Sequence, residues 1–426
     1  MNIVIVSDAG EPDGASTKIA ILSARALAER GHDILYVHAV GAASRLLDHP
    51  NIRVHAMGLR DVWQEANPLR AAATGVWNGR AAGWLAALLA TVPRRTVVHL
   101  HHYTRALSPA VLKVAGQSGL PWAFTLHDYV IACPNGLYYD HRAARPCTVH
   151  PLSARCAATA CDGQGAAHKL VRLARLAATR RALAARRRPL TLICPSAFAR
   201  DVARPLLPDD TRAVVVPNPV DIEQAPPAPV AHNRRILFMG LLAREKGVGV
   251  LAAAARQAGA ELAFVGAGPY EAELRRINPD AAILPWPATR AEVLAHMDTA
   301  RAIAFPSLWY EPFGLSAMEA LARGIPLVTT ATTALSGAID DGVDGFLTRA
   351  GDVDSLAAAL TALRDDAVAE RVGLAAWTRY WQNPSTPARH AERLLGVYRT
   401  MLAAVDAGVE TVTDTDIDPE TEVPAV

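Results

Sequence analysis

Arg301-Ala302-Ile303-Ala304-Phe305-Pro306-Ser307-Leu308-Trp309-Tyr310-Glu311-Pro312-Phe313-Gly314-Leu315-Ser316-Ala317-Met318-Glu319-Ala320-Leu321 decides the fold class of this 426-residue chain. Arg301 to Phe305 is an apolar run of strand length, and Leu315 to Leu321 reads as a helix stopped by Gly324 and Pro326. The stretch is therefore a strand, a sharp loop and a helix, with the loop at the carboxyl end of the strand. In open α/β sheets that crevice is where ligands bind. The N–H groups of Phe313, Gly314 and Leu315 project from the helix start, where the helix dipole favours an anion such as a diphosphate. Two carboxylates, Glu311 and Glu319, flank this turn.

Outward from that block the same alternation runs through the chain. In the first half Ile3 to Val6 reads as a strand, Thr17 to Arg30 as an amphipathic helix stopped by Gly31, and Ile34 to Val37 as the next strand. Further strands are expected at Thr96–Leu100, Trp122–Leu126 and Leu190–Cys194. Strands alternating with helices imply a parallel, doubly wound sheet. A proline-rich stretch around Ala225-Pro226-Pro227-Ala228-Pro229 then interrupts the pattern as a stiff linker. It restarts at Arg235–Gly240 and continues through Glu261–Gly266, Ala302–Phe305 and Pro326–Thr329.

The block from Pro306 to Glu319 resembles the E-x7-E signature of the retaining glycosyltransferases of family 4. That resemblance covers about residues 1 to 405 and implies an α/β, GT-B fold. Two Rossmann-like, doubly wound domains would face a central cleft, with a C-terminal helix crossing back to the N-terminal domain. The corresponding expectation is an acceptor domain at 1–220, a linker at 221–232, a donor domain at 233–380 and the crossing helix at 381–405. Residues 406–426, rich in Asp and Glu with few large apolar groups, read as a disordered acidic tail.

The resemblance also implies the chemistry: transfer of a sugar from a nucleotide-diphosphate-sugar donor to a hydroxyl acceptor, with retention and without a catalytic metal. Such a reaction builds positive charge at the anomeric carbon and negative charge on the leaving oxygens. Fixed cations and aligned N–H donors are needed at the diphosphate. Glu319 would hold sugar hydroxyls and Glu311 would stand nearer the reacting carbon. Gly240-Leu241-Leu242-Ala243-Arg244-Glu245-Lys246-Gly247 looks like the family's G-R-L-x-x-x-K-G loop. Lys246 matches the family lysine, whereas Leu241 stands where the family has arginine, which leaves three outcomes open: Arg244 reaches round to substitute, diphosphate affinity is weaker, or activity is lost. Donor contacts are thus expected at Lys246, Arg244, Phe313, Gly314, Leu315 and Glu319. Thr125-Leu126-His127-Asp128 resembles the acceptor-domain motif whose histidine contacts the donor sugar, which makes His127 a catalytic candidate with Glu311. Gly14, in the loop Gly10 to Ser16, matches one of two paired family glycines; Ala15 occupies the second place. Val265-Gly266-Ala267-Gly268-Pro269 resembles the turn after the donor domain's second strand.

Two rivals keep the ligand and change the role: a GT-B sugar-nucleotide epimerase, and a non-catalytic sugar-nucleotide-binding subunit, the latter motivated by Leu241 and Ala15. Asp352-Val353-Asp354 is formally a D-x-D metal motif, but it precedes a helix and N-capping explains it.

Cys133, Cys147, Cys156 and Cys161 fall in a loop-rich stretch after His127. Four cysteines can bind Zn²⁺ tetrahedrally, but the spacing is irregular, so a structural zinc, reduced unlinked thiols and disulfides stay open, the last least expected in a cytosolic chain. No other cofactor is implied. Residues 169–188 carry Lys169, Arg172, Arg175, Arg180, Arg181 and Arg186 to Arg188 among leucines. This is either a solvated helix face or a peripheral contact with an anionic membrane, which a lipid-linked rather than a free carbohydrate acceptor would favour. The net charge of +2 carries no bulk footprint for nucleic acid. The first residues lack a basic leader and no apolar run approaches the ~20 residues of a bilayer span. The expected location is the cytoplasm, including the inner face of the membrane.

Overall fold

A computed structural model describes residues 1–12, 14–287 and 289–407. The expected acidic tail lies outside the described residues from position 408 onward. Fifteen strands lie among the described residues: β1 (Asn2–Ala9), β2 (Asp33–Val40), β3 (Ile52–Ala56), β4 (Thr96–Leu100), β5 (Trp122–Thr125), β6 (Tyr139–Asp140), β7 (Arg145–Pro146), β8 (Thr191–Cys194), β9 (Arg212–Val215), β10 (Arg235–Met239), β11 (Leu262–Val265), β12 (Ala282–Leu284), β13 (Ala300–Phe305), β14 (Leu327–Thr330) and β15 (Gly345–Thr348).

The chain forms two compact units. Among the described residues, unit 1 comprises 1–137, 149–219 and 385–407; unit 2 comprises 138–148 and 220–384. Unit 1 carries a seven-stranded sheet of order β3-β2-β1-β4-β5-β8-β9, and its pairings are parallel. Unit 2 carries a six-stranded sheet of order β12-β11-β10-β13-β14-β15, also parallel. Helices connect successive strands and cover the sheets. The inner strands are therefore buried on both faces and read as continuous apolar runs rather than alternating ones. β13 is buried at every position and β1 at all but its first residue.

The last helix, Pro387–Asp406, belongs to unit 1. Thr386 caps it by accepting the Arg389 N–H at 3.3 Å, and Pro387 sits where its missing N–H costs nothing. Ala391, Leu394, Leu395, Tyr398, Met401 and Leu402 lie three or four residues apart on one face and join the core of Ile3, Ile5 and Val97. The preceding helix, Asp366–Gln382, lies in unit 2, so the change of unit falls at Pro384/Ser385. Residues 138–148, inside the expected first domain, group with unit 2. Their antiparallel hairpin β6-β7 is tied to the loop after β10 through Arg244, whose Nη1 donates to the His141 carbonyl at 3.1 Å. No helix among the described residues is long and apolar enough to cross a membrane.

Candidate active site

In unit 2 the strand order reverses between β10 and β13, which pair in parallel with Ile236 opposite Ala302. The loops leaving their carboxyl ends therefore emerge side by side, at the place where doubly wound sheets bind ligands. After β10 the chain makes a single turn at Arg244–Lys246 and passes through Gly247 in the left-handed region (φ 71°). A Cβ on Gly247 would stand 1.9 Å from the Pro306 carbonyl oxygen. Only glycine lets this turn lie against the loop after β13. The contact is fixed further by the Leu308 N–H donating to the Glu245 carbonyl at 2.8 Å.

That apposition brings together two residues that the sequence singles out separately. Lys246 Nζ donates to Glu311 Oε2 at 2.8 Å, and Ser307 Oγ reaches the same oxygen at 3.3 Å. The ammonium also lies 4.9 Å from the Trp309 ring centre, close enough for a cation–π attraction. Arg244, by contrast, turns to the hairpin carbonyl of His141 and makes no ion pair with Glu311. Leu241, in the place of the family arginine, is about half exposed.

Helix Leu315–Ala322 starts at Gly314, whose φ of 87° again suits glycine. Among the described residues the amides of Phe313, Gly314 and Leu315 have no backbone acceptor. They form a set of donors at a helix start. One turn on, Glu319 is buried and its Oε1 meets Arg290 Nη1 at 2.8 Å, while Arg290 Nη2 donates to the Asp221 carbonyl at 2.9 Å. Arg290 escaped sequence reasoning. Thr289-x-x-Glu292 is a capping box that places Arg290 at the first helical position. No spacing relates that helix to Glu319.

Unit 1 has its own reversal, between β1 and β4. Asp8 lies near the end of β1; His101 and His102 follow β4, and His127 and Asp128 lie just beyond β5. The Asp8 carboxylate accepts the N–H groups of Arg105, Ala106 and Leu107 at 2.9 to 3.0 Å. It also meets His102 Nδ1 at 3.1 Å, and His102 Nε2 lies 3.4 Å from Asp128 Oδ2. Burial alone would lower the His102 pKa. The two carboxylates outweigh burial and raise it to about 10, so this ring is an imidazolium at neutral pH. His127 behaves oppositely. Burial, with the nearby His102 charge second, lowers its pKa to about 3, and its Nε2 lies 3.0 Å from His101 Nδ1. A neutral His127 beside a fixed charged triad can donate or accept a hydrogen bond without changing charge. The sequence marks His127, but Asp8 and His102 become visible only once β1, β4 and β5 are neighbours.

Gly14 begins helix Ala15–Ala28 with extended backbone (φ 179°), and a Cβ there would meet nothing. The fold does not itself require glycine at this place. Asp352 caps helix Val353–Ala362 by accepting the Ser355 N–H at 2.9 Å.

One reading of the sequence needs correction. Lys169 does not belong to a solvated basic face. It is 5% exposed, whereas Leu170 is 68% exposed, because Lys169 turns inward to sulfur atoms and Leu170 outward. The helix itself runs Ala166–Ala184, shorter than 169–188 at its far end. The cysteines, moreover, divide between the units: Cys133, Cys156 and Cys161 lie in unit 1 and Cys147 in unit 2. Among the described residues no group of three or more His, Cys, Asp or Glu side chains is arranged to hold a metal ion.

Residues 233–366 match the family described as Glycosyl transferases group 1. The chain is 32% identical over 216 residues to a glycogen synthase of Mycobacterium tuberculosis, covering 46% of this chain and 51% of that protein. It thus spans about half the length of the curated relatives it matches first. Among solved structures it resembles sucrose-phosphate synthase of Thermosynechococcus elongatus (TM-score 0.68, 19% identity, 95% of this chain and 100% of that one). It also resembles HepE of Anabaena, solved in complex with UDP (TM-score 0.65, 16% identity, 94% and 100%). At these identities the likeness shows the fold, and the fold is the expected GT-B type with two parallel-sheet, Rossmann-like units.

Proposed function

We propose that this chain is a glycosyltransferase that moves a sugar, with retention and without a catalytic metal, from a nucleotide-diphosphate-sugar donor to a hydroxyl acceptor. The acceptor is a carbohydrate or lipid-linked glycan and the setting is the cytoplasm. The observation that carries the reading is the joining of Lys246, Glu311 and the helix start at Gly314 on one switch point. Its support from outside is the glycosyltransferase family match over 233–366.

In this reading the ammonium of Lys246 and the amides of Phe313, Gly314 and Leu315 meet the diphosphate. Both are positioned before the leaving-group charge develops, so little reorganisation is needed during the reaction. Lys246 is held by Glu311 in the absence of donor; a diphosphate competes for the same ammonium and leaves Glu311 Oε2 available near the sugar. Glu319 holds hydroxyls of the donor, and Arg290 orients its carboxylate. His127 acts as a neutral hydrogen-bonding group toward the sugar.

A second reading, a sugar-nucleotide-binding subunit without transfer activity, has one observation in its favour. Leu241 replaces a family cation, and Arg244 is engaged with His141 rather than filling the gap. A thermal-shift screen against nucleoside diphosphates and their sugars tests donor binding, because a bound ligand raises stability in step with its affinity. Release of free sugar from the stabilising donor then separates the readings. Slow hydrolysis is expected of a transferase, and binding without hydrolysis or transfer would favour the subunit. No stabilisation by any nucleotide would overturn both.

A further inference from the structure

Helix Ala166–Ala184 carries Lys169 in its first turn, and the segment before it carries Cys156 in the short helix Ala154–Ala158 and Cys161 just after. All three side chains are buried: Lys169 is 5% exposed, Cys156 6% and Cys161 5%. The lysine nitrogen lies 2.9 Å from Cys161 Sγ and 3.8 Å from Cys156 Sγ. Among the described residues no carboxylate pairs with it.

A buried ammonium without a carboxylate is costly unless another anion compensates it. Here the neighbours are thiols, which puts an oxidisable sulfur in direct contact with the nitrogen. The 2.9 Å separation is closer than a nitrogen usually comes to the larger sulfur atom, and one oxygen atom bonded to both would span it. Burial keeps out bulky reagents and competing thiols while dioxygen, small and apolar, can diffuse in.

We propose that Cys161 and Lys169 form an oxidative cross-link in which a single oxygen bridges Sγ and Nζ. Dioxygen is the oxidant. The S–H bond and one N–H bond break, S–O and N–O bonds form, and the O–O bond is cleaved. Sulfur and nitrogen each lose two electrons, and dioxygen takes up all four. One oxygen atom stays in the bridge, and the other leaves as water with the two hydrogens. The link staples the start of the helix to the segment before it. That segment reaches the turn after His127 through Asn135, whose Nδ2 donates to the Cys161 carbonyl at 3.3 Å.

The test is mass spectrometry of the full-length protein, kept in air and, in parallel, under a thiol reductant. The air-kept protein is expected to be heavier by one oxygen and lighter by two hydrogens. Peptide mapping should show Cys161 joined to Lys169, with trypsin no longer cutting after Lys169, and reductant should reverse both changes. Cys156→Ser should retain the cross-link and Cys161→Ser should lose it. Four results would overturn the proposal: about one equivalent of zinc with the thiols protected, a disulfide from Cys161 to Cys156 or Cys133, oxygen added to sulfur while trypsin still cuts after Lys169, and an unchanged mass in air. Mapping of the unsubstituted protein decides the matter even if a variant fails to fold.

Discussion

At the scale of single residues, the site consists of charges held ready by other charges. Lys246 is restrained by Glu311, and Glu319 by Arg290, so each substitution removes one group and releases another. Glu319→Ala should weaken donor binding by about 2 to 3 kcal/mol, the scale of a charged hydrogen bond lost. Titration calorimetry checks this, and an unchanged donor affinity would remove Glu319 from the donor site. Lys246→Ala should reduce turnover more than Arg244→Ala, because only Lys246 projects to the crossing of the two loops. A more damaged Arg244 variant would mean that the guanidinium leaves His141 when donor binds. His127→Ala should leave nucleoside-diphosphate affinity nearly intact, since the proposed diphosphate contacts lie in unit 2. Transfer should fall by roughly 10²-fold, the usual scale for a missing polar contact at a reacting group. Normal transfer by that variant would show that His127 is misassigned.

At the scale of elements, two glycines separate architecture from packing. Both Gly247 and Gly314 have positive φ, but a Cβ on Gly247 meets backbone at 1.9 Å while one on Gly314 meets the flexible Leu335 side chain at 3.1 Å. Gly314→Ala should therefore cost about 1 to 2 kcal/mol, the strain of a left-handed alanine. Gly247→Ala must also push apart the loops after β10 and β13, and about 4 kcal/mol or more is expected. Urea unfolding of the two variants measures the difference, and equal losses would contradict the close loop contact. The strands themselves were readable because inner parallel strands are apolar along their whole length. The hairpin β6-β7 was not, since each strand has two residues and carries no periodic signal.

For the molecule as a whole, buried histidines set the response to pH. His99 and His127 are lowered to about 3, His390 to about 4, and His101 well below its ordinary value, in each case first by burial. Each is neutral in the folded protein but takes a proton in the unfolded chain below pH about 6.5, so stability falls as pH falls below that point. Each contributes a loss of roughly 1 kcal/mol between pH about 6.5 and 5.5. His102 has the opposite sign. Its raised pKa lends stability that is fully present below pH about 6.5 and is lost as pH rises toward about 10. Melting temperature should therefore peak near neutrality and drop on both sides. His102→Gln should flatten the alkaline limb while keeping the acid one; an unchanged alkaline limb would mean that the Asp8–His102–Asp128 arrangement carries no net stabilisation.

Apolar runs and helix stops made the strand–loop–helix units and the proline-rich break between two such series legible in the chain alone, and the candidates Lys246, Glu311, Glu319 and His127 follow from its resemblance to family motifs. Which candidates meet depends on strand order. Lys246 reaches Glu311 because β10 and β13 are neighbours, although β11 and β12 separate them in the chain. Asp8 and His102 meet for the same reason, because β1 and β4 are neighbours. Lys169 was misread because a helical wheel assigns a charged residue to solvent, and nothing local announces sulfur atoms waiting on the inner side. Burial and ion pairing depend on neighbours distant in sequence, and those neighbours exist only after the sheets have formed.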